Sequence, residues 1–160
     1  MCPGPVRAEV VTGANLACVT DTPAQEFPAT TEQWRAAARG SLIERLGIEI
    51  VDVSAERTTG SMPVAGNTQP AGLLHGGASV TLAETLGSIA AQQHAGPARA
   101  AVGLEVNATH HRGVRDGRVH GEAVALHLGR TTAAYEIVVT DDDGRRVCTA
   151  RLTCMILGTA

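Results

Sequence analysis

Between Gly77 and Gln93, apolar and small residues fall in almost every helical direction: Ala78, Val80, Leu82, Ala83, Leu86, Ile89, Ala90 and Ala91. That pattern predicts a helix buried on most sides. One stripe breaks it, because Thr81, Glu84, Thr85 and Ser88 stand at i, i+3, i+4 and i+7, one above another on a single face. An ionised group taken out of water is costly unless it is paired or neutralised, so Glu84 is expected to be a buried carboxylate that the protein uses.

Downstream, alternation at period two predicts strands near Ala100 to His111, Arg118 to Leu128, Thr131 to Thr140 and Arg145 to Leu157. Gly117, Gly129 to Arg130 and the Asp141 to Gly144 turn separate them, and links this short predict antiparallel pairing. Upstream, Ile48, Ile50 and Val53 begin a strand, with Thr58 to Val64 as its hairpin partner. Two short helices precede the hairpin. Thr30 with Gln33 resembles a capping box opening a helix through Ala38, and Ser41 with Glu44 repeats the signal before Leu42 to Leu46, with Gly47 as a stop. One long apolar helix followed by a meander of long strands predicts an α+β fold in which a curved antiparallel sheet wraps the helix. Residues 1–29 carry Pro3, Pro5, Pro23 and Pro28 and no sustained periodicity, and read as a mobile N-terminal extension to a single domain over 30–160.

Charge and composition exclude more than they suggest. Thirteen basic against sixteen acidic residues argue against a nucleic-acid surface, and with Phe27, Trp34 and Tyr135 as the only aromatic residues a base-stacking platform is not expected either. No apolar run approaches the roughly 20 residues of a membrane helix. Cys2, Cys18, Cys148 and Cys154 are too unevenly spaced for a zinc site, and reduced thiols in the cytoplasm are the default. His110 and His111, adjacent on a strand, point to opposite faces, so neither a metal nor another cofactor is expected.

Candidate chemistry gathers where the long helix begins. Gly72, Leu73, Leu74, His75, Gly76 and Gly77 form a glycine-rich entry whose first backbone N–H groups have no intrahelical acceptor, an arrangement suited to an oxyanion or a phosphate. A helix N-terminus beside a histidine, with a carboxylate further along, favours acyl-transfer chemistry. Ser79 and Ser88 lack the strand–turn–helix context that activates a serine nucleophile.

The run Gln69-Pro70-Ala71-Gly72-Leu73-Leu74-His75-Gly76-Gly77-Ala78-Ser79, followed by Leu82-Ala83-Glu84-Thr85-Leu86-Gly87-Ser88, resembles the active-site signature of the hotdog-fold acyl-CoA thioesterases. Val102 to Arg112, Leu126 to Arg130 and Asp143 to Arg146 extend the likeness to roughly Leu42 to Leu157. Within that family it is similar to the branch that hydrolyses aryl thioesters in enterobactin and menaquinone synthesis. The resemblance implies a hotdog fold, a homotetramer built as a dimer of dimers with sites at the dimer interface, and an acyl-CoA or acyl carrier protein substrate. It also implies roles: Glu84 as nucleophile or general base, the Gly76 N–H polarising the thioester carbonyl, and Gln69 and His75 positioning that end of the substrate. Ser88, Ile89 and His110 match positions near the substrate. Ala71 stands where the relatives carry an aromatic residue, which bears on the shape of the acyl pocket.

Helical geometry bears on the interface independently. Eight residues separate Gly76 from Glu84, roughly 12 Å at 1.5 Å per residue, so a carbonyl held at one helix N-terminus is out of reach of the same chain's Glu84. A second helix across a two-fold axis can supply the carboxylate. Two other readings of the chain are a hydratase or dehydratase using His75 with Glu84, and a non-catalytic acyl-CoA sensor; a sensor acting on DNA would need a basic recognition helix, which the first 40 or so residues do not offer.

Overall fold

The computed structural model describes residues 27–158. In chain order the elements are α1 (Thr31–Ala37), α2 (Leu42–Arg45), β1 (Glu49–Asp52), β2 (Arg57–Pro63), α3 (Gly76–Ala95), β3 (Ala100–His110), β4 (Arg118–Leu128), β5 (Thr132–Asp141) and β6 (Arg146–Leu157). The strands form one six-stranded antiparallel sheet in the order β1-β2-β4-β5-β6-β3, and α3 lies along its concave face in contact with β2 to β6. The α+β arrangement and every element expected from the sequence are present, with boundaries within a residue or two.

Local signals account for the ends of the helices. Thr30 and Gln33 make the full reciprocal capping box on α1. At α2 the expected box is only half made: Ser41 Oγ accepts from Ile43 N at 3.2 Å, while the Glu44 carboxylate reaches past the cap to Gly40 N at 2.7 Å.

The strand order corrects one inference. A short link was expected to pair β3 with β4, yet β3 pairs with β6 at the sheet edge and β4 lies between β2 and β5. Residues 111–117 cross between these places instead of turning back. Their backbone bonds run to other elements, with His111 N donating to Val147 O at 2.8 Å, Leu74 N donating to Val114 O at 2.7 Å and Val64 N donating to Gly117 O at 3.0 Å.

The core lies between α3 and the sheet, where Leu82 and Leu86 are fully buried against Val119, Ile137 and Leu152. The helix approaches closely over β2 and β4 because paired glycines face it there. A Cβ on Gly121 would meet Leu86 Cδ1 at 2.6 Å, and one on its partner Gly60 would meet Glu49 O at 2.7 Å and Leu86 Cδ2 at 2.9 Å. Tyr135 is fully buried and donates its hydroxyl to Ala55 O at 3.0 Å.

Of the N-terminal extension expected over residues 1–29, only Phe27 to Ala29 fall among the described residues. There the Pro28 carbonyl accepts a bond from Gln93 Nε2 at 2.9 Å. No helix among the described residues is long and apolar enough to cross a membrane.

Candidate active site

The segment leading into α3 is a tightly bonded loop. Gly72 N donates to Gln69 O at 2.9 Å, and Gln69 N donates to Leu73 O at 2.8 Å, with Gly72 at φ 74° where an L side chain would be strained. Asn67 ties the loop to the hairpin through Nδ2 bonds to Leu46 O at 2.8 Å and Pro63 O at 2.9 Å. This bracing sets the position of Gln69.

At the helix start His75 is the N-cap. Its Nδ1 accepts from Gly77 N at 2.9 Å, the task usually done by Ser, Thr, Asp or Asn. The bond requires a lone pair on Nδ1, so the cap holds His75 as the Nε2–H tautomer. Ala78 N and Ser79 N are satisfied by His75 O at 2.9 and 3.3 Å. Gly76 N is left with no acceptor among the described residues, at the positive end of a 20-residue helix. His110 lies directly over it: a Cβ on Gly76 would meet His110 Nε2 at 2.9 Å, so glycine permits the approach. Gln69, Gly76 and His110 share a cavity of about 350 Å³.

Glu84 lies elsewhere. With Thr81, Thr85, Ser88 and Ile89 it lines a second cavity, of about 400 Å³, so the polar stripe read from the sequence faces one space. The expectation of a buried carboxylate is corrected: Glu84 is exposed in the single chain, because its face of α3 looks into this open cavity and not into the core. Among the described residues it makes no hydrogen bond and no ion pair. Oε1 lies 3.8 Å from the point a Cβ on Gly103 of β3 would occupy.

The structure therefore brings Glu84, Ser88 and Ile89 together, and Gln69, Gly76 and His110 together, in two different cavities. His75 is exposed between the loop and the helix, and Ala71 is exposed at the turn and lines neither cavity. His111 turns to Thr149, with Nε2 2.9 Å from Oγ1.

Sequence reasoning missed four contributing residues. Cys154 lies fully buried behind the stripe; burial pushes its thiol up, a hydrogen bond with Ser88 works against that, and the Glu84 charge adds to the rise, so it is no thiolate nucleophile. Gln92, also buried, accepts from Ala101 N at 2.9 Å and donates to Arg99 O at 2.8 Å, which locks the start of β3 to α3. Phe27 and Trp34 close the Glu84 cavity from the N-terminal side. Gln92 continues the Thr81, Thr85 and Ser88 face by one more turn, a helical signal the sequence carries, whereas only long-range folding brings Cys154, Phe27 and Trp34 to that face.

An N–H donor at a helix terminus and an unpaired carboxylate on the same helix, inside a curved sheet, are the parts of an acyl-thioester hydrolase. The family model described as "Thioesterase superfamily" matches residues 71–148. The proofreading thioesterase EntH of Cronobacter turicensis is 46% identical over 130 residues, covering 81% of this chain and 95% of that protein. EntH of Klebsiella pneumoniae is 48% identical over 124 residues, covering 77% and 90%. Among solved structures, a thioesterase from Haemophilus influenzae superposes with a TM-score of 0.78 at 34% identity, covering 85% of this chain and 96% of that one. A mutant thioesterase from Pseudomonas aeruginosa gives 0.75 at 43% identity, covering 84% and 99%. The chain belongs to the thioesterase superfamily and has its hotdog fold. It is a thioesterase.

Proposed function

We propose that the chain hydrolyses an aryl thioester carried on coenzyme A or on the phosphopantetheine arm of a carrier protein, at a site shared by two subunits. The observation that carries this reading is the division of the helix: the Gly76 N–H and Glu84, both without a partner among the described residues, line separate cavities of one chain. Across a two-fold axis, Gly76 of one subunit meets Glu84 of the partner subunit, and each dimer holds two sites.

In that site the Gly76 N–H donates to the thioester carbonyl oxygen and stabilises the charge that develops there, helped by the helix terminus. Gln69, His75 and His110 position the carbonyl end. Glu84 attacks the carbonyl carbon or takes a proton from an attacking water. With water as nucleophile, the new C–O bond forms as the C–S bond breaks, and the proton taken up by Glu84 passes to the departing sulfur; with Glu84 as nucleophile, the carrier leaves first and water then cleaves the mixed anhydride, supplying the thiol's proton and freeing the acid and Glu84. Ser88 and Ile89 contact the acyl group beside Glu84, and Ala71 at the entry turn bears on acyl choice. Polarisation and base catalysis complete the reaction without a metal or cofactor.

The sheet edge supports the dimer. Along β3 one edge is paired to β6 and the other is open, with Val102 and Leu104 at 39% and 52% exposure, a combination that invites strand pairing with a second copy. Val124 and Leu126, exposed on the outer face of β4, offer a further contact for a dimer of dimers. Residues 30–160 then form the thioesterase domain, with 1–29 as its extension, in a cytoplasm that keeps Cys148 and Cys154 reduced. A hydratase reading fits less well, because Nδ1 of His75 is committed to the helix cap.

A thioester panel tests this reading. Thiol release is followed for aryl and aliphatic acyl groups, each on coenzyme A and on a carrier protein. Hydrolysis is expected, with kcat/KM higher for aryl groups by about tenfold or more. Equal rates for all acyl groups contradict the aryl assignment, and no thiol release from any member contradicts the function.

A further inference from the structure

We infer that Trp34 and Phe27 form an aromatic wall that selects flat acyl groups over aliphatic ones, an inference that rests on reading the Glu84 cavity as the acyl site. The chain has three aromatic residues, and two of them, far apart in sequence from Glu84, line the same cavity as that carboxylate. The third, Tyr135, is fully buried in the core. In a chain this poor in aromatics, flat surfaces are concentrated where the substrate would sit.

Bonds made by the adjacent residues tie down the backbone that carries each ring. Trp34 is carried on α1, which Arg35 fastens to β1 through an Nε bond to Ile50 O at 2.7 Å. Phe27 is fastened to α3 through the adjacent Pro28, whose carbonyl accepts from Gln93. Leu42, Ile43, Ile89 and Ala101 add apolar surface beside the polar stripe that carries Glu84, and the space of about 400 Å³ lies within the range of small-ligand sites.

The Trp34 indole gives a second indication. Its Nε1–H is shut off from water and finds no acceptor among the described residues. Buried polar groups are normally satisfied, so nothing within the described fold favours tryptophan here over a purely apolar side chain. What the residue contributes is a large aromatic surface lining the cavity. A flat acyl group slid beside it gains offset or edge contacts beyond its buried area, which a flexible alkyl chain does not.

The full chain is assayed with benzoyl-CoA and hexanoyl-CoA, and the ratio of the two kcat/KM values is read for Trp34→Leu, Trp34→Phe and Phe27→Leu. Trp34→Leu should lower the benzoyl-to-hexanoyl ratio about tenfold, and Phe27→Leu should lower it in the same direction. Trp34→Phe keeps a ring and should hold the ratio within about threefold of the parent. If Trp34→Leu fails to fold by circular dichroism, Phe27→Leu, outside any helix or strand, carries the test. A ratio unmoved in the folded Leu variants overturns the inference. Glu84→Gln in the same assay separates the two claims: loss of both activities leaves the site assignment standing whatever the ratio does, whereas retained hydrolysis removes it.

Discussion

Glu84→Gln should keep its fold and lose thioester hydrolysis by about 10²-fold or more in kcat. The side chain is exposed and has no partner among the described residues, so the amide leaves no buried group unsatisfied and the melting temperature should scarcely move. Chemically the change is severe, since an amide neither takes a proton from water at neutral pH nor attacks a carbonyl carbon. KM should change far less than kcat, because shape and apolar contacts in the cavity are retained. Both routes open to Glu84 predict the same loss. A folded variant with near-parental turnover would remove Glu84 from the chemistry.

Gly76→Pro should be nearly as damaging for a different reason. Gly76 is the first residue of α3, a position where proline is well tolerated because the missing N–H has no intrahelical acceptor. His75 already has φ −70° and ψ 130°, the conformation a residue adopts before proline. The helix should therefore persist while the proposed carbonyl donor disappears. Proline also brings a Cβ that would meet His110 Nε2 at 2.9 Å, so Gly76→Ala, which displaces His110 equally but keeps the N–H, is the control. Loss of one oxyanion donor is expected to cost about 10²- to 10³-fold in kcat for the proline variant relative to the alanine one. Equal losses in both would assign the effect to His110 instead.

Much of the fold was legible because long periodic segments declare themselves. The apolar wrap of α3 and the alternation of β4 to β6 each needed only local information. Strand order did not, since the link from His111 to Gly117 is short enough for a hairpin and nothing in its residues states that it crosses the sheet end. The site was half legible. The Thr81, Glu84, Thr85 and Ser88 stripe was found as a face, but helical periodicity tells which residues share a face and not what covers it, so Glu84 was expected inside and stands exposed. His75 read as chemistry because histidine is not among the usual N-caps, and the structure shows it capping. Phe27 and Trp34 were used only to exclude base stacking; the place of Trp34 in the cavity wall depends on how α1 docks on β1, and that of Phe27 on the bond from Gln93 of α3 to Pro28.

The shared site is tested most directly by mixing two inactive proteins, Glu84→Gln and Gly76→Pro, under conditions where subunits exchange. Random pairing makes about half the dimers mixed, and in each of these one of the two sites combines an intact Gly76 N–H from one chain with an intact Glu84 from the other. About a quarter of parental activity should return as exchange proceeds, tracking the mixed species seen by native mass spectrometry. Full exchange with no recovered hydrolysis would contradict a site built from two subunits.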